Sequence, residues 1–115
     1  MAITRHEPSK ILSKVVEANG MVYTAGVVAD DISQDAKGQT TQILKEIDRL
    51  LKLAGADKSK VISATIWLTD IARFDEMNAA WDAWLDPANP PARATVEARH
   101  ASPDYLVEIA VIAAR

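Results

Sequence analysis

Cysteine is absent from these 115 residues. That excludes a disulfide framework, a thiolate nucleophile and any cysteine-based zinc site. Histidine is scarce, with only His6 and His100. No His-x-x-x-His, Glu-x-x-His or acidic cluster stands at ligand spacing, so the sequence offers no metal centre. The 4 glycines, Gly20, Gly26, Gly38 and Gly55, build neither a phosphate loop nor a dinucleotide fingerprint. None of Ser9, Ser13, Ser63 or Ser102 sits in a Gly-x-Ser-x-Gly elbow, which removes the usual setting of a catalytic serine. There is no cluster of lysine and arginine, and the net charge is −3, so nothing supplies the electrostatic footprint of a nucleic-acid binder. No run approaches the roughly 18 apolar residues of a membrane span, and Met1–Pro8 has no apolar signal core. The expectation is a cytoplasmic protein with no membrane partner.

What remains is an ordinary globular composition, 49% hydrophobic and 25% charged, at a length that supports one domain, residues 1–115. Lys14–Ala18 and Met21–Ala25 are β-prone runs joined by Asn19-Gly20. That pair predicts a hairpin, because both central residues of a type I′ turn need positive φ. Residues before this hairpin, His6 included, read as a frayed terminus, and Asp30–Gly38 reads as a loop. Ile43, Ile47, Leu50, Leu51 and Ala54 fall on one face of a helix predicted over Thr40–Ala54, closed by Gly55. Val61–Leu68 reads as a strand. Asp70 then caps a second helix through Trp84, with Phe74, Met77, Trp81 and Leu85 inward. Trp67, Trp81 and Trp84 read as packing or subunit contacts. Ala92–Ala98 and Leu106–Ala114 are the last strands.

This order predicts an α/β (α+β) domain, a mixed β-sheet with two helices on one face. The other sheet face carries small and apolar residues, which predicts burial by self-association.

Two residues break the pattern. Glu108 interrupts the apolar run Leu106–Ala113, where a carboxylate needs a partner, hydrogen bonds or neutralisation. Arg93 stands at the head of the preceding strand, after Pro90-Pro91, and is the obvious cation to look for. Its planar fork suits a substrate carboxylate. The same residue also fits a rim ion pair with Glu97 or Asp104. Likewise Glu108 fits either a buried structural ion pair or a site acid, and the pattern alone leaves both open.

Pro91-Ala92-Arg93-Ala94-Thr95-Val96, followed by Val107-Glu108-Ile109, resembles the signature of the RidA/YjgF-like reactive-intermediate deaminase family. Val22-Tyr23-Thr24-Ala25-Gly26, Gln42–Ala56, Val61–Asp70 and Met77-Asn78 extend the resemblance over nearly the whole chain. The resemblance implies a chorismate-mutase-like fold assembled as a homotrimer with sites between subunits. It implies hydrolysis of enamines and imines such as 2-aminoacrylate to 2-keto acids and ammonia, with no cofactor and no metal. Arg93 would bind the substrate carboxylate and Glu108 would work through the attacking water. The backbone around Thr95 and Gly26 would hold water and substrate, with Asn78 near the cleft. The chain departs from the usual pattern at Leu12, where a pocket tyrosine is common, and at Ala25, where a serine is common. His100 replaces a usual leucine. These departures motivate an alternative, a non-enzymatic trimeric module binding small carboxylates or a protein. A ribonuclease role, attached to some relatives, lacks a His-His or His-Lys pair here.

Overall fold

A computed structural model describes residues 2–115 as one six-stranded sheet under a layer of two helices. The chain runs β1 (Ile3–Pro8), β2 (Ser13–Ala18), β3 (Met21–Thr24), α1 (Ala36–Leu53), β4 (Val61–Leu68), α2 (Phe74–Trp84), β5 (Ala92–Glu97) and β6 (Val107–Ala114). The sheet order is β1-β2-β3-β6-β4-β5, antiparallel throughout except for β4 beside β5. Because β6 pairs antiparallel with both β3 and β4, those two run parallel to each other. The crossovers β3–α1–β4 and β4–α2–β5 therefore travel in one direction across the sheet. Two crossovers of the same hand travelling the same way put both helices on the same face.

The predicted hairpin is present: Asn19 and Gly20 have φ of 55° and 75° between β2 and β3. Gly55 takes φ 75° after α1, and the Ala56 and Gly55 amides donate to the Leu51 and Lys52 carbonyls. The predicted inner stripe of α1 is buried, joined by Leu44 and by the polar Gln39 and Thr40. Val15, Val22, Ala64, Ile66, Leu68, Ile109 and Val111 meet it from the sheet.

Three expectations need correction. The terminus is not frayed, since Ile3–Pro8 pairs along β2 and the His6 ring contacts the Glu17 carboxylate. The first helix begins at Ala36, not Thr40, because the Asp35 carboxylate accepts from the Gly38 amide and caps it. Asp70 caps a 3-10 turn, Ile71–Arg73, that leads into α2. Among the described residues no helix is long and apolar enough to cross a membrane.

One face of the sheet is left bare in the single chain. Along β6, Val107, Ile109, Val111 and Ala113 are buried under the helices, while Glu108, Ala110, Ile112 and Ala114 alternate onto the other side. Tyr23, Ile112 and Val96 lie exposed on that side, with Trp67 half-buried among them.

Candidate functional site

The end of β3 departs from regular pairing beside β6. Tyr23 still faces Ile112. Beyond it the Val111 amide donates to the Thr24 hydroxyl at 3.0 Å in place of a backbone carbonyl. The Ala25 amide turns away to the Lys14 carbonyl at 2.9 Å, and pairing resumes between Val27 and Ile109 at 2.8 and 3.1 Å. Thr24, Ala25 and Gly26 thus stand opposite Ala110 and Val111, a bulge that bends the strand out of the sheet. The bend lays Gly26 against Glu108. A β-carbon on Gly26 would come within 2.1 Å of Glu108 Oε2 and 2.9 Å of its carboxyl carbon. Space requires the glycine here, since among the glycines positive φ occurs only at Gly20 and Gly55.

Arg93 is built differently. Pro90-Pro91 delivers the chain into β5, where Arg93 lies beside Ala64 of β4. Ala64 is buried under the helices, so Arg93 projects to the helical side. Its guanidinium carbon sits 5.3 Å from the Trp81 ring centroid and 5.6 Å from that of Phe74. Its Nη1 donates to Asn78 Oδ1 at 2.7 Å. Phe74, Asn78 and Trp81 fall at steps of four and three along α2, so one helical stripe supplies both the aromatic shelf and the acceptor. Burial pulls the Arg93 pKa below its ordinary value, and arginine stays charged at neutral pH nonetheless. Thr95, next along the same face, has a buried hydroxyl with no hydrogen-bond partner among the described residues.

The anticipated ion pairs are not made. Glu97 accepts instead from the Ile71 amide at 3.0 Å, and no carboxylate of the described residues lies within ion-pair distance of Arg93. Nor do Arg93 and Glu108 meet within one chain. Glu108 lies opposite Trp67, three residues along β4 from Ala64, and therefore on the other face of the sheet. Glu108 is half-buried on the bare face and is not enclosed on both sides.

The residues singled out from the sequence thus fall into two groups. Arg93, Thr95 and Asn78 cluster at the β5 edge under α2. Glu108 and Gly26 sit at the β3 bulge, and Leu12, Ala25 and Gly26 line a hollow of about 680 Å³ between the bulge and α1. Neither Arg93 nor Glu108 lines that hollow.

Sequence reasoning missed two parts. The shelf of Phe74 and Trp81 read as core packing, although its spacing with Asn78 carried the signal. Nothing local marks Thr24 as the residue that opens the bulge. No group of three or more metal-ligating side chains occurs among the described residues. The Nδ1 of His100 bonds the Tyr105 carbonyl while His6 contacts Glu17, so each histidine is engaged with a different part of the fold.

Comparison with known proteins gives consistent results. Residues 3–115 match the family described as Endoribonuclease L-PSP. A RutC family protein of Haemophilus ducreyi is 46% identical over 112 residues, covering 97% of this chain and 96% of that protein. The chloroplastic Reactive Intermediate Deaminase A of Arabidopsis thaliana is 34% identical over 107 residues, 88% of this chain and 57% of that protein. A solved member of the YjgF protein family from Neisseria meningitidis superimposes with a TM-score of 0.97 at 40% identity, covering 100% of this chain and 96% of that one.

Proposed function

The chain belongs to the endoribonuclease L-PSP family, and we propose that it is a hydrolytic deaminase of reactive 2-imino acids and their enamine tautomers. One observation carries this reading. Arg93 is a braced guanidinium, held by Asn78 and two rings, with no carboxylate of its own chain paired to it. Such a group is a preorganised receptor for a substrate carboxylate. The relative named Reactive Intermediate Deaminase A supports the same class of chemistry.

The reaction needs little from the protein. A proton gained at carbon and one lost from nitrogen convert an enamine to its imine tautomer. Water then adds to the imine carbon, giving a carbinolamine whose C–N bond breaks to release ammonia and leave the 2-keto acid. The Glu108 carboxylate takes a proton from the attacking water and passes it to the imine nitrogen. It then takes the carbinolamine hydroxyl proton and passes it to the departing nitrogen as the C=O bond forms, so no proton is gained or lost overall. Arg93 fixes the carboxylate, and backbone near Thr95 and Gly26 holds the water and the substrate. Positioning and proton transfer suffice because the imine is already electrophilic.

Arg93 and Glu108 project from opposite faces of one sheet, so a site using both requires a second copy of the chain. We take the assembly to be a homotrimer in which the bare sheet face is covered and each cleft joins Arg93 of one subunit to Glu108 of the next. The alternative is a trimer that binds small carboxylates without turnover. It is favoured by Leu12 and Ala25, which bring no hydroxyl to the hollow beside Gly26.

The test uses 2-aminoacrylate generated in situ, with semicarbazide trapping residual imine. Wild type should speed release of keto acid over buffer, and Arg93→Ala should lose that acceleration. If both match buffer while wild type still binds pyruvate in an Arg93-dependent way, the binding module replaces the deaminase.

A further inference from the structure

Resting on the deaminase reading, we propose that Thr24 is the positioning residue for Glu108. Its hydroxyl holds open the β3 bulge that seats Gly26 against the Glu108 carboxyl. The register between β3 and β6 moves by one residue across the bulge. Tyr23 faces Ile112, and four residues later Val27 faces Ile109, only three residues earlier. Had the pairing run on unbroken, Gly26 would face Ile109 and Val27 would face Glu108. Opposed residues share a face, so Val27 would then leave the core and crowd the carboxylate on the bare side. With the extra residue, Val27 is buried under the helices beside Ile109, and Gly26 lies against Glu108. One inserted residue thus clears the space around the carboxyl.

An extra residue leaves a backbone group without its ladder partner, and Thr24 supplies one. Amides two residues apart on a strand point to the same neighbour, so those of Ile109 and Val111 both turn to β3. The Ile109 amide reaches the Val27 carbonyl at 3.1 Å. The Val111 amide meets the Thr24 hydroxyl at 3.0 Å. Val111 is buried, and a buried amide left unpaired is costly. On its other edge Thr24 keeps regular register with Val15 of β2, and the Ala25 amide donates to the Lys14 carbonyl. The residue at this point must therefore be a good strand former that also carries an acceptor close to the backbone. Threonine meets both demands, and valine, of the same shape, meets only the first. Without the hydroxyl the Val111 amide stays unpaired unless β3 closes toward β6, and that closure moves Gly26 off the carboxyl.

The experiment compares wild type, Thr24→Val and Thr24→Ser as purified full chains. Nuclear magnetic resonance reads the contact through the Overhauser effect between the Gly26 α-protons and the Glu108 γ-protons. Hydrogen exchange reads the Val111 amide. Turnover of 2-aminoacrylate generated in situ gives kcat and KM, and calorimetry gives the affinity for pyruvate. Thr24→Val should lose the contact signal and about tenfold or more of the Val111 protection. Its kcat should fall about tenfold or more. Its KM and pyruvate affinity should stay within about twofold of wild type, because Arg93 stands on β5 at the far side of the sheet. Thr24→Ser should restore the contact and bring kcat within about threefold of wild type. Val22→Ala, a buried change on the same strand, should lower Tm while holding kcat within about twofold. If Thr24→Val yields no folded protein, Thr24→Ala against Thr24→Ser decides by the same readouts.

A contact signal that persists in Thr24→Val, or a kcat within about threefold of wild type, would overturn the assignment. So would a KM that rises as far as kcat falls, a serine variant no better than valine, or an equal loss of kcat in Val22→Ala. Failure of the deaminase reading looks different. Wild type then has no turnover, and the contact signal alone decides. Lost in Thr24→Val and regained in Thr24→Ser, it upholds the role of Thr24 in placing Glu108, and kept in both it removes that role.

Discussion

The Glu108 carboxyl rests on the bare Cα of Gly26, where a β-carbon would lie 2.1 Å from Oε2. Backbone conformation does not require glycine at this position, so Gly26→Ala is tolerable to the chain and intolerable to the contact. The added methyl must push Glu108 aside or force the bulge back from β6. Gly26→Ala is expected to keep the fold, shift Tm by only a few degrees, and lower imine hydrolysis at least tenfold with little change in keto-acid affinity. Circular dichroism and paired kcat and KM measurements check this. Unchanged kcat would show that Glu108 has no fixed position to lose.

Arg93 depends on Asn78 and Trp81 for its direction, and the two should separate in experiment. Asn78→Ala removes one charge-assisted hydrogen bond from a half-buried guanidinium but leaves the ring shelf. It should raise KM several-fold with a small loss of stability. Trp81→Leu removes the ring under the guanidinium and also leaves space in the core, since Trp81 is 5% exposed and packs tilted against Trp84 with ring centroids 5.3 Å apart. A large-to-small change of this kind costs about 2–4 kcal/mol. Both Tm and KM should then move, while Trp81→Phe should restore most of the KM. If Phe restores Tm but not KM, the indole face itself matters to Arg93.

Elements whose signal is local were legible in the sequence. Asn19-Gly20 fixed a hairpin because only a few residues accept consecutive positive φ, and the stripe from Ile43 to Ala54 could only bury one way. β1 was missed because Ile3–Pro8 lies largely exposed and has no apolar face. It is held by pairing with β2 and by His6 against Glu17, both set by distant residues. The start of α1 was missed because Asp35 caps a first turn containing Lys37 and Gly38, which reads as loop until the cap is seen. The candidate site divides in the same way. Arg93 and Glu108 were visible as charges out of place. That they face opposite sides follows only from the register Ala64–Arg93 and Trp67–Glu108, which no window of sequence contains.

The bare sheet face offers a test of the proposed trimer. Ile112 stands between Tyr23 and Ser63 on that face and is exposed in the single chain. If copies cover it, Ile112→Glu buries an unpaired charge at the contact, which is strongly unfavourable. Light scattering coupled to gel filtration should find a trimer for the wild type and smaller species for Ile112→Glu. Imine hydrolysis should fall in parallel, because Arg93 and Glu108 then have no neighbour to meet. A monomeric wild type with full activity would rule out a shared cleft.

Acid should loosen the join between β1 and α1 before it reaches the core. Arg49 grips Glu7 through two bonds, 2.6 and 3.0 Å, and Glu46 through its Nε at 2.6 Å. The Arg49 hydrogen bond draws the Glu7 pKa from an ordinary 4.5 down to about 2 and lowers that of Glu46 in the same sense. A carboxylate depressed on folding stabilises fully above its unfolded value, and that contribution fades as pH falls from about 4.5 through about 2. The pair is exposed, so its contribution is modest and should shrink with added salt. Arg49→Met removes the clamp and leaves Glu7 and Glu46 without their shared cation. Across that acid window its Tm should decline less steeply than wild type, and its deficit at neutral pH should narrow. Thermal melts at stepped pH in low salt measure both slopes, and parallel curves for the two proteins would show that Arg49 does not set the acid response.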